Sequence, residues 1–205
     1  MRRLIDLSTS VRELSDIVSL SGPALEDIKW WSEFAPGWNG VSFFQDPIVT
    51  SKHLHFFTDA SSFGLGGVFG SNWFSISIPP AILGAPIHIL EFCAVGMPII
   101  TWANDLTNKQ VLISTDNLDI VHVWSSGSCK DKLLMSLVRK LFLFIAHRNI
   151  NILLVHIPGK DNVLADLLSR LQVAQFLNLS ESPSPEPYKI PEEAWEFLDL
   201  LETNS

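Results

Sequence analysis

The chain has 205 residues, of which 47% are hydrophobic and 18% are charged, and its formal net charge is -8. This composition excludes a largely disordered chain and predicts one domain with extensions, large enough to bury a substantial core. The acidic balance excludes a broad basic surface that holds nucleic acid by phosphate neutralisation alone. Any contact with nucleic acid must therefore be local or assisted by metal ions.

The cysteines and the apolar segments indicate the cellular compartment in which we expect the protein. The two cysteines, Cys93 and Cys129, lie outside any CxxC or Cys/His pattern, which predicts free thiols in a reducing compartment and argues against a zinc site. No apolar core of signal-peptide length precedes Asp6, so we expect an intracellular location, with nucleus and cytoplasm left open. The most apolar window, residues 81–103, contains two prolines, a histidine and Glu91. It predicts a buried helix and no membrane partner.

Residues 1–50 predict a helical and aromatic connection segment. Thr9 or Ser10 suits a cap before one helix, and Ser21 followed by Pro23 suits the start of a second. An aromatic cluster follows around the turn-like PGWNG, and we interpret it as a packing anchor against the main domain, with base stacking as the alternative. Its members are Trp30, Trp31, Phe34, Trp38, Phe43 and Phe44.

The main domain, residues 51–172, begins with three strand signals in quick succession: LHFFTD, GGVFG and WFSISI. The short turns between them predict an antiparallel meander. Asp59 stands at the end of the first strand. A buried carboxylate there requires a hydrogen-bonding partner or a metal ion, and this stretch alone leaves both open.

Helices and strands alternate through the rest of this domain. An apolar helix carries Glu91 near its start, and Pro98 is expected to kink or interrupt it. Further strands are predicted at QVLIS, which ends before Asp116, and at NILLVHI; between them lie a short helix and a long one with an apolar side. Asn162 suits the cap of a last helix that carries Asp166. This order predicts a mixed α/β sheet.

Residues 173–205 form the third predicted region. A Ser/Pro-rich linker, SESPSPEP, precedes an acidic amphipathic segment, IPEEAWEFLDLLE. We interpret the region as a spacer followed by a docking helix.

Four carboxylates stand out because each lies at a strand end or near the start of a helix. They are Asp59, Glu91, Asp116 and Asp166. If the two strands are neighbours and both helices pack over their ends, the four converge, and such a cluster cannot stay fully ionised without cations. Mg²⁺ is a fitting counter-ion because it is hard and prefers oxygen ligands. Two such ions about 4 Å apart would activate a water and stabilise the leaving oxygen of a phosphodiester.

Four blocks, in this order and spacing, resemble the ribonuclease H domain of retroelement reverse transcriptases, particularly that of tyrosine-recombinase (DIRS-like) retrotransposons. The blocks are FFTDASSFGLGGVF, HILEFCAV, VLISTDN and VHIPGKDNVLADLLSRL. The similarity covers residues 54–171, and IKWWSEFAPGWNGVSFF resembles the connection that precedes this domain. The resemblance implies a ribonuclease H-like fold, a mixed five-stranded sheet flanked by helices, and endonucleolytic hydrolysis of the RNA strand of RNA/DNA hybrids.

The resemblance also implies roles for individual residues. It places the catalytic, metal-binding carboxylates at Asp59, Glu91, Asp116 and Asp166, where they would hold two Mg²⁺ ions, with Mn²⁺ as a substitute. His156 matches a histidine that assists proton transfer or product release, although it also suits the last residue of a buried strand. The substrate-binding candidates are Asn117, at a position that contacts the nucleic-acid backbone, and Ser61 and Ser62, which suit phosphate contact or local turn capping.

No paired-aspartate polymerase motif occurs in the chain. The chain therefore resembles the C-terminal piece of a larger element, with a reverse transcriptase polymerase domain as a partner. Two alternatives stay open: a catalytically idle remnant that serves as an interaction module, and a transposase or integrase core that cuts DNA. The fourth carboxylate, within NVLADLLSR, favours ribonuclease H over the second alternative. Pro98 and the lack of a basic hybrid-binding handle between Trp124 and the long helix weaken the expectation that the isolated chain is active.

Overall fold

The structure is a computed structural model that describes residues 7, 13, 15–37 and 56–199. The chain divides into two compact units, Met1–Ser42 and Phe43–Ser205. Several predicted features lie outside the described residues: the helix cap at Thr9 or Ser10, and three of the aromatic residues, Trp38, Phe43 and Phe44.

The first unit contains the helix α1, Gly22–Phe34. Proline occupies its first turn, as predicted, and Ser21 occupies the N-cap position without a side-chain capping bond. Three of the predicted aromatic residues contact one another within this helix. The ring centroids are 4.8, 5.2 and 5.8 Å apart for the pairs formed by Trp30, Trp31 and Phe34. Their function as an anchor stays a prediction.

A five-stranded mixed sheet forms the centre of the second unit. Its order is β3-β2-β1-β4-β5, with β1, β2 and β3 antiparallel and with β4 parallel to both β1 and β5. The fold-class prediction, a ribonuclease H-like mixed sheet flanked by helices, is confirmed. The strands are β1 Phe56–Ala60, β2 Gly64–Phe69, β3 Asn72–Ser77, β4 Gln110–Thr115 and β5 Asn151–His156.

Helices flank this sheet, and the helix that contains Pro98 differs from the predicted interruption at that residue. The apolar window forms α2, which continues through Pro98 to Thr101 instead of being interrupted. The carbonyl of Pro98 still accepts a bond from the Trp102 amide at 3.0 Å, and the helix is buried from Ile89 onward, so packing offsets the lost donor. The helices are α2 Ile87–Thr101, α3 Ala103–Leu106, α4 Leu118–Ser126, α5 Lys132–His147, α6 Val163–Ser169, α7 Val173–Leu179 and α8 Glu192–Leu198.

The main core lies between the sheet and the helices α2 and α5. The predicted apolar side of α5 is confirmed, because its buried residues recur at helical spacing. They are Leu134, Leu137, Val138, Leu141 and Ile145. Among the described helices, none is both long and apolar enough to cross a bilayer.

The C-terminal region packs on the domain. The predicted amphipathic helix α8 buries its apolar side against α2, where a Cβ at Gly96 would lie 2.4 Å from the ring of Phe197. The Ser/Pro-rich segment runs beside β3: the Trp73 indole donates to the Ser184 carbonyl at 2.8 Å, and the Tyr188 amide donates to the Trp73 carbonyl at 2.7 Å. The segment interpreted as a spacer therefore covers an edge of the sheet, where backbone groups need partners.

Gly66 allows α6 to lie directly on β2. A Cβ there would lie 2.6 Å from the Ser169 amide nitrogen and 2.7 Å from the Ala165 carbonyl oxygen. Both atoms belong to the backbone of α6, so neither can shift unless the whole helix shifts.

Gly66→Ala is expected to cost about 2 to 3 kcal/mol in the free energy of unfolding, measured by urea denaturation. Gly127→Ala is the control, because its Cβ would meet open space at a φ of +61°, so its cost is conformational alone. A cost for Gly66→Ala no larger than for the control contradicts this close approach.

Candidate metal centre

Asp59 and Asp116 are brought side by side by the pairing of β1 with β4. These strands are parallel, and Phe57 lies opposite Ser114. Asp59 lies two residues after Phe57, and Asp116 lies two residues after Ser114, so both carboxylates are at the carboxyl ends of the two strands. Successive side chains of a strand alternate between faces, which places these two at the same level and on the same side.

Glu91 joins them from the helix α2, which packs over β1 and β2. Its exposed fraction is 9%, and that of Asp59 is 5%. One ligand atom from each of Asp59, Glu91 and Asp116 lies within 4.8 Å of the other two. The structure thus brings together three of the four predicted carboxylates, which are separated by tens of residues along the chain.

Asp166 lies at the margin of this three-carboxylate cluster. It is in the first turn of α6, its side chain is 39% exposed, and its Oδ1 accepts a bond from Arg170 Nε at 2.7 Å. Burial is the main cause of the raised pKa of Asp59, and the negative charge of Asp166 adds to it, so the two carboxylates are electrostatically coupled. Asp166, the fourth predicted ligand, is therefore near the cluster, but its carboxylate forms an ion pair with Arg170, one helical turn further along α6.

Burial changes the protonation of the cluster. It is the main cause that raises the pKa of Glu91 from 4.5 to about 8, with the charges of Asp59 and Asp116 adding to it. Asn117 and the Ala60 backbone, beside the carboxylate, oppose this shift only in part. Burial likewise raises the pKa of Asp59 from 3.8 to about 7, although a hydrogen bond from Ser169 lowers it. Near neutral pH the cluster therefore retains protons unless a cation replaces them.

The residues present fit a hard divalent cation. All three offer oxygen ligands, and Glu91 Oε2 is buried without a hydrogen-bond partner. Oxygens around one small octahedral cation, with bonds of about 2.1 Å, lie about 3 to 4 Å apart. A contraction of the cluster by less than about 2 Å would reach that geometry. The carboxylate cluster can therefore bind a divalent metal ion.

Two buried residues of the α6 region contact the strand carboxylates. Ser169 Oγ donates to Asp59 Oδ2 at 2.5 Å. Asn162 Nδ2 donates to the Thr58 carbonyl at 3.0 Å and lies 3.5 Å from Asp116 Oδ1. Asn162 occupies the predicted N-cap position, but its side chain makes no capping bond. The capping prediction is corrected here, because the amide group serves a buried carbonyl of β1 instead.

The predicted substrate-binding residues occupy two turns beside the cluster. The Ser61 hydroxyl is buried, accepts a bond from the Phe63 amide at 3.1 Å and donates to the Ser169 carbonyl at 2.7 Å. Ser61 thus makes the turn-capping contact that was its alternative role. Ser62 is exposed in the same turn. Asn117 caps α4, with Oδ1 accepting from the Ile120 amide at 3.1 Å.

His156 is the last residue of β5 and is exposed. Only Ile152 of this strand is buried, so the interpretation of His156 as the end of a buried strand is wrong. It pairs in register with Thr115, which places it at the same sheet edge as Asp116 but outside the three-carboxylate cluster. The loop that follows passes close to the cluster, since a Cβ at Gly159 would lie 3.1 Å from Asp116 Oδ2. A role for His156 in proton transfer stays a prediction.

Sequence reasoning did not identify Ser169 and Arg170 as parts of the site. Both lie in the NVLADLLSR block, three and four residues after Asp166. The spacing of four predicts the Asp166–Arg170 pair on one helix face. No comparable local signal predicts the bond from Ser169 to Asp59, which joins residues 110 positions apart.

Comparison with known proteins adds a structural similarity. No protein-family model and no curated protein matches the chain. Among solved structures, the chain is similar to a ribonuclease H1 isolated from compost by a metagenomic approach, with 21% sequence identity and a TM-score of 0.48 over 60% of this chain and 97% of that one. An identity this low does not bear on activity. The assignment of the fold rests on the order and directions of the five strands.

Proposed function

We propose that this chain is a metal-dependent ribonuclease H that hydrolyses the RNA strand of RNA/DNA hybrids. One observation carries the proposal: ligand atoms of Asp59, Glu91 and Asp116 lie within 4.8 Å of one another at the carboxyl end of two parallel strands. A convergence of buried carboxylates is costly without a cation. The same three residues lie in the blocks that resemble the ribonuclease H domain.

The proposed cofactor is a pair of Mg²⁺ ions, with Mn²⁺ as a substitute. The ions would be held by Asp59, Glu91 and Asp116, and Asp166 would complete the set. When bound, such ions lower the pKa of an attacking water and stabilise the leaving oxygen. Burial of Asp59 and Glu91 keeps bulk water from screening their charges, which strengthens their attraction for a cation.

Recognition of the hybrid would depend on local contacts. The 2′-hydroxyls in a wide, shallow minor groove distinguish an RNA strand from DNA. Ser62, exposed in the β1–β2 turn, and Asn117, at the start of α4, flank the cluster and suit such contacts. Lys160 follows Gly159, which lies against Asp116, and is exposed for a phosphate contact.

The biological setting is proposed from the sequence blocks alone. We infer a retroelement origin, a reverse transcriptase polymerase domain as partner and an intracellular location. The low content of basic residues supports a role for such a partner, because phosphate neutralisation supplies much of nucleic-acid affinity.

Cleavage of a labelled RNA/DNA hybrid tests the proposed function. The purified chain, supplied with Mg²⁺ or Mn²⁺, is expected to cut the RNA strand and to leave matched DNA and RNA duplexes intact. Chelation should abolish cutting, and Asp116→Asn, which keeps the side-chain shape but removes the charge, should reduce it roughly a hundredfold or more.

Two outcomes would contradict the proposal. Metal-dependent cutting of the DNA duplex would favour a transposase or integrase core. Absence of cutting in both metals, by a protein shown to be folded, would favour the idle remnant. Adding a reverse transcriptase polymerase domain in trans would then show whether such a partner restores activity.

A further inference from the structure

We propose that Ser169 is a positioning residue that holds the Asp59 carboxylate for the metal, an inference that rests on the proposed metal-dependent function. Ser169 is fully buried and its Oγ lies 2.5 Å from Asp59 Oδ2. A hydroxyl that donates to an ionised carboxylate forms a charge-assisted bond, which is stronger than a bond between neutral groups. The side chain is not itself a metal ligand in this proposal.

The single hydroxyl proton of Ser169 is directed to Asp59. Ser169 Oγ also lies 3.0 Å from the carbonyl oxygen of Asp166, so two acceptors compete for one proton. The carboxylate is closer, and when ionised it is the stronger acceptor. One oxygen of Asp59 is thereby engaged, which limits rotation of the carboxylate and leaves the other oxygen for a cation.

The position of Ser169 is itself held from two sides. Its carbonyl accepts a bond from Ser61 Oγ at 2.7 Å, which ties it to the β1–β2 turn. Its amide lies so close to Gly66 that a Cβ there would be 2.6 Å away. Because β1 carries Asp59 and pairs with β2, these contacts fix the position of the Ser169 hydroxyl relative to the Asp59 carboxylate. Partners that orient a metal ligand in this way typically change metal affinity about 10- to 100-fold.

Calorimetric titration of the metal-free chain with Mn²⁺ tests the proposal. Ser169→Ala is expected to weaken Mn²⁺ binding about tenfold or more. Ser75→Ala is the matched control: Ser75 Oγ donates to the Leu168 carbonyl at 2.6 Å, on the same helix, without contacting a carboxylate. It should leave the Mn²⁺ affinity within about twofold of wild type, although both variants lose one hydrogen bond and some stability.

Ser169→Cys separates the hydrogen bond from packing. The thiol is somewhat larger than the hydroxyl, so the site stays filled, but it donates weakly. This variant should therefore bind Mn²⁺ about as poorly as Ser169→Ala. Wild-type affinity in either folded variant overturns the proposal, as does equal weakening by Ser75→Ala. Failure of the wild-type chain to bind Mn²⁺ overturns the proposed metal centre instead, so the two failures are distinguishable.

A crystal structure of the wild-type chain with Mn²⁺ provides a measurement that needs no variant. Ser169 Oγ is expected to stay within hydrogen-bond distance of an Asp59 oxygen while the other Asp59 oxygen binds the ion. An Asp59 carboxylate that has turned away from Ser169 overturns the proposal even if both variants fail to fold.

Discussion

Glu91→Gln is expected to lower the rate of metal-dependent cleavage strongly and, in the same protein, to stabilise the metal-free fold near neutral pH. Glu91 is buried and one of its oxygens has no hydrogen-bond partner, so its charge is costly without a cation. Its pKa of about 8 compares with an ordinary value of 4.5. Removing that charge should raise the free energy of unfolding by about 1 to 3 kcal/mol at about pH 8, allowing for partial solvation.

The same substitution removes an anionic ligand from the centre of the carboxylate cluster. Cleavage of the hybrid should fall roughly a thousandfold, the scale seen when a key electrostatic group of an active site is lost. Urea denaturation with a chelator, at about pH 8, measures the gain in stability. The Mn²⁺-dependent cleavage rate measures the loss of activity.

Glu196→Gln provides a matched control for this prediction. Glu196 is an exposed residue of α8, outside the three-carboxylate cluster. It should leave cleavage unchanged and alter stability by less than about 0.5 kcal/mol. Retained cleavage in Glu91→Gln would contradict the assignment of Glu91 as a ligand, and a loss of metal-free stability would show that its carboxylate stabilises the fold.

The metal-free wild-type protein is expected to lose stability as the pH rises from about 5 to about 8. The folded-state pKa values, about 7 for Asp59 and about 8 for Glu91, exceed the ordinary values of 3.8 and 4.5. The native state therefore binds more protons than the unfolded state in this window, so the free energy of unfolding falls with rising pH. Because the two carboxyl groups are coupled, we expect a combined loss of about 2 to 4 kcal/mol.

A divalent cation should reverse this trend. Mn²⁺ at about 100 times its dissociation constant would add about 2.7 kcal/mol to the free energy of unfolding. A fixed Mn²⁺ concentration would add more at high pH, where the ligands are ionised and the affinity is higher. Urea midpoints across the pH range, with a chelator and with Mn²⁺, measure both effects. Glu91→Gln should show a shallower pH dependence. Stability that stays level or rises with pH in the chelated wild-type protein would contradict the burial of these charges.

Local patterns predicted much of the framework. The apolar side of α5 was readable because a period near 3.6 needs no knowledge of the partner surface. The meander β1–β3 was readable because short turns leave antiparallel pairing as the simple connection. The predicted interruption at Pro98 was wrong because a local rule about a missing donor was outweighed by tertiary packing around a helix that is buried from Ile89 onward. The alternative prediction, a kink at Pro98, stays a prediction.

Contacts of the C-terminal region required the folded chain. Its amphipathic pattern predicted a helix, and α8 is one. The packing of α8 on α2 depends on Gly96, because the lack of a side chain there leaves space for the ring of Phe197. The two residues are far apart in the sequence, so no local pattern predicts this contact. Asn162 shows the same limit, since its N-cap position was predictable and its bond to the Thr58 carbonyl was not.

The sequence by itself determined the strands, the main helices and the four candidate carboxylates, because hydrophobic period, turn residues and strand-end acids act over a few neighbouring positions. Only the tertiary structure decided that Asp59, Glu91 and Asp116 meet within 4.8 Å. It also decided that Ser169 reaches Asp59 across 110 positions. The physical reason is that distant residues are brought together by the pairing of parallel strands and by the packing of α2 and α6 on the sheet. Both the pairing and the packing depend on contacts across the whole core.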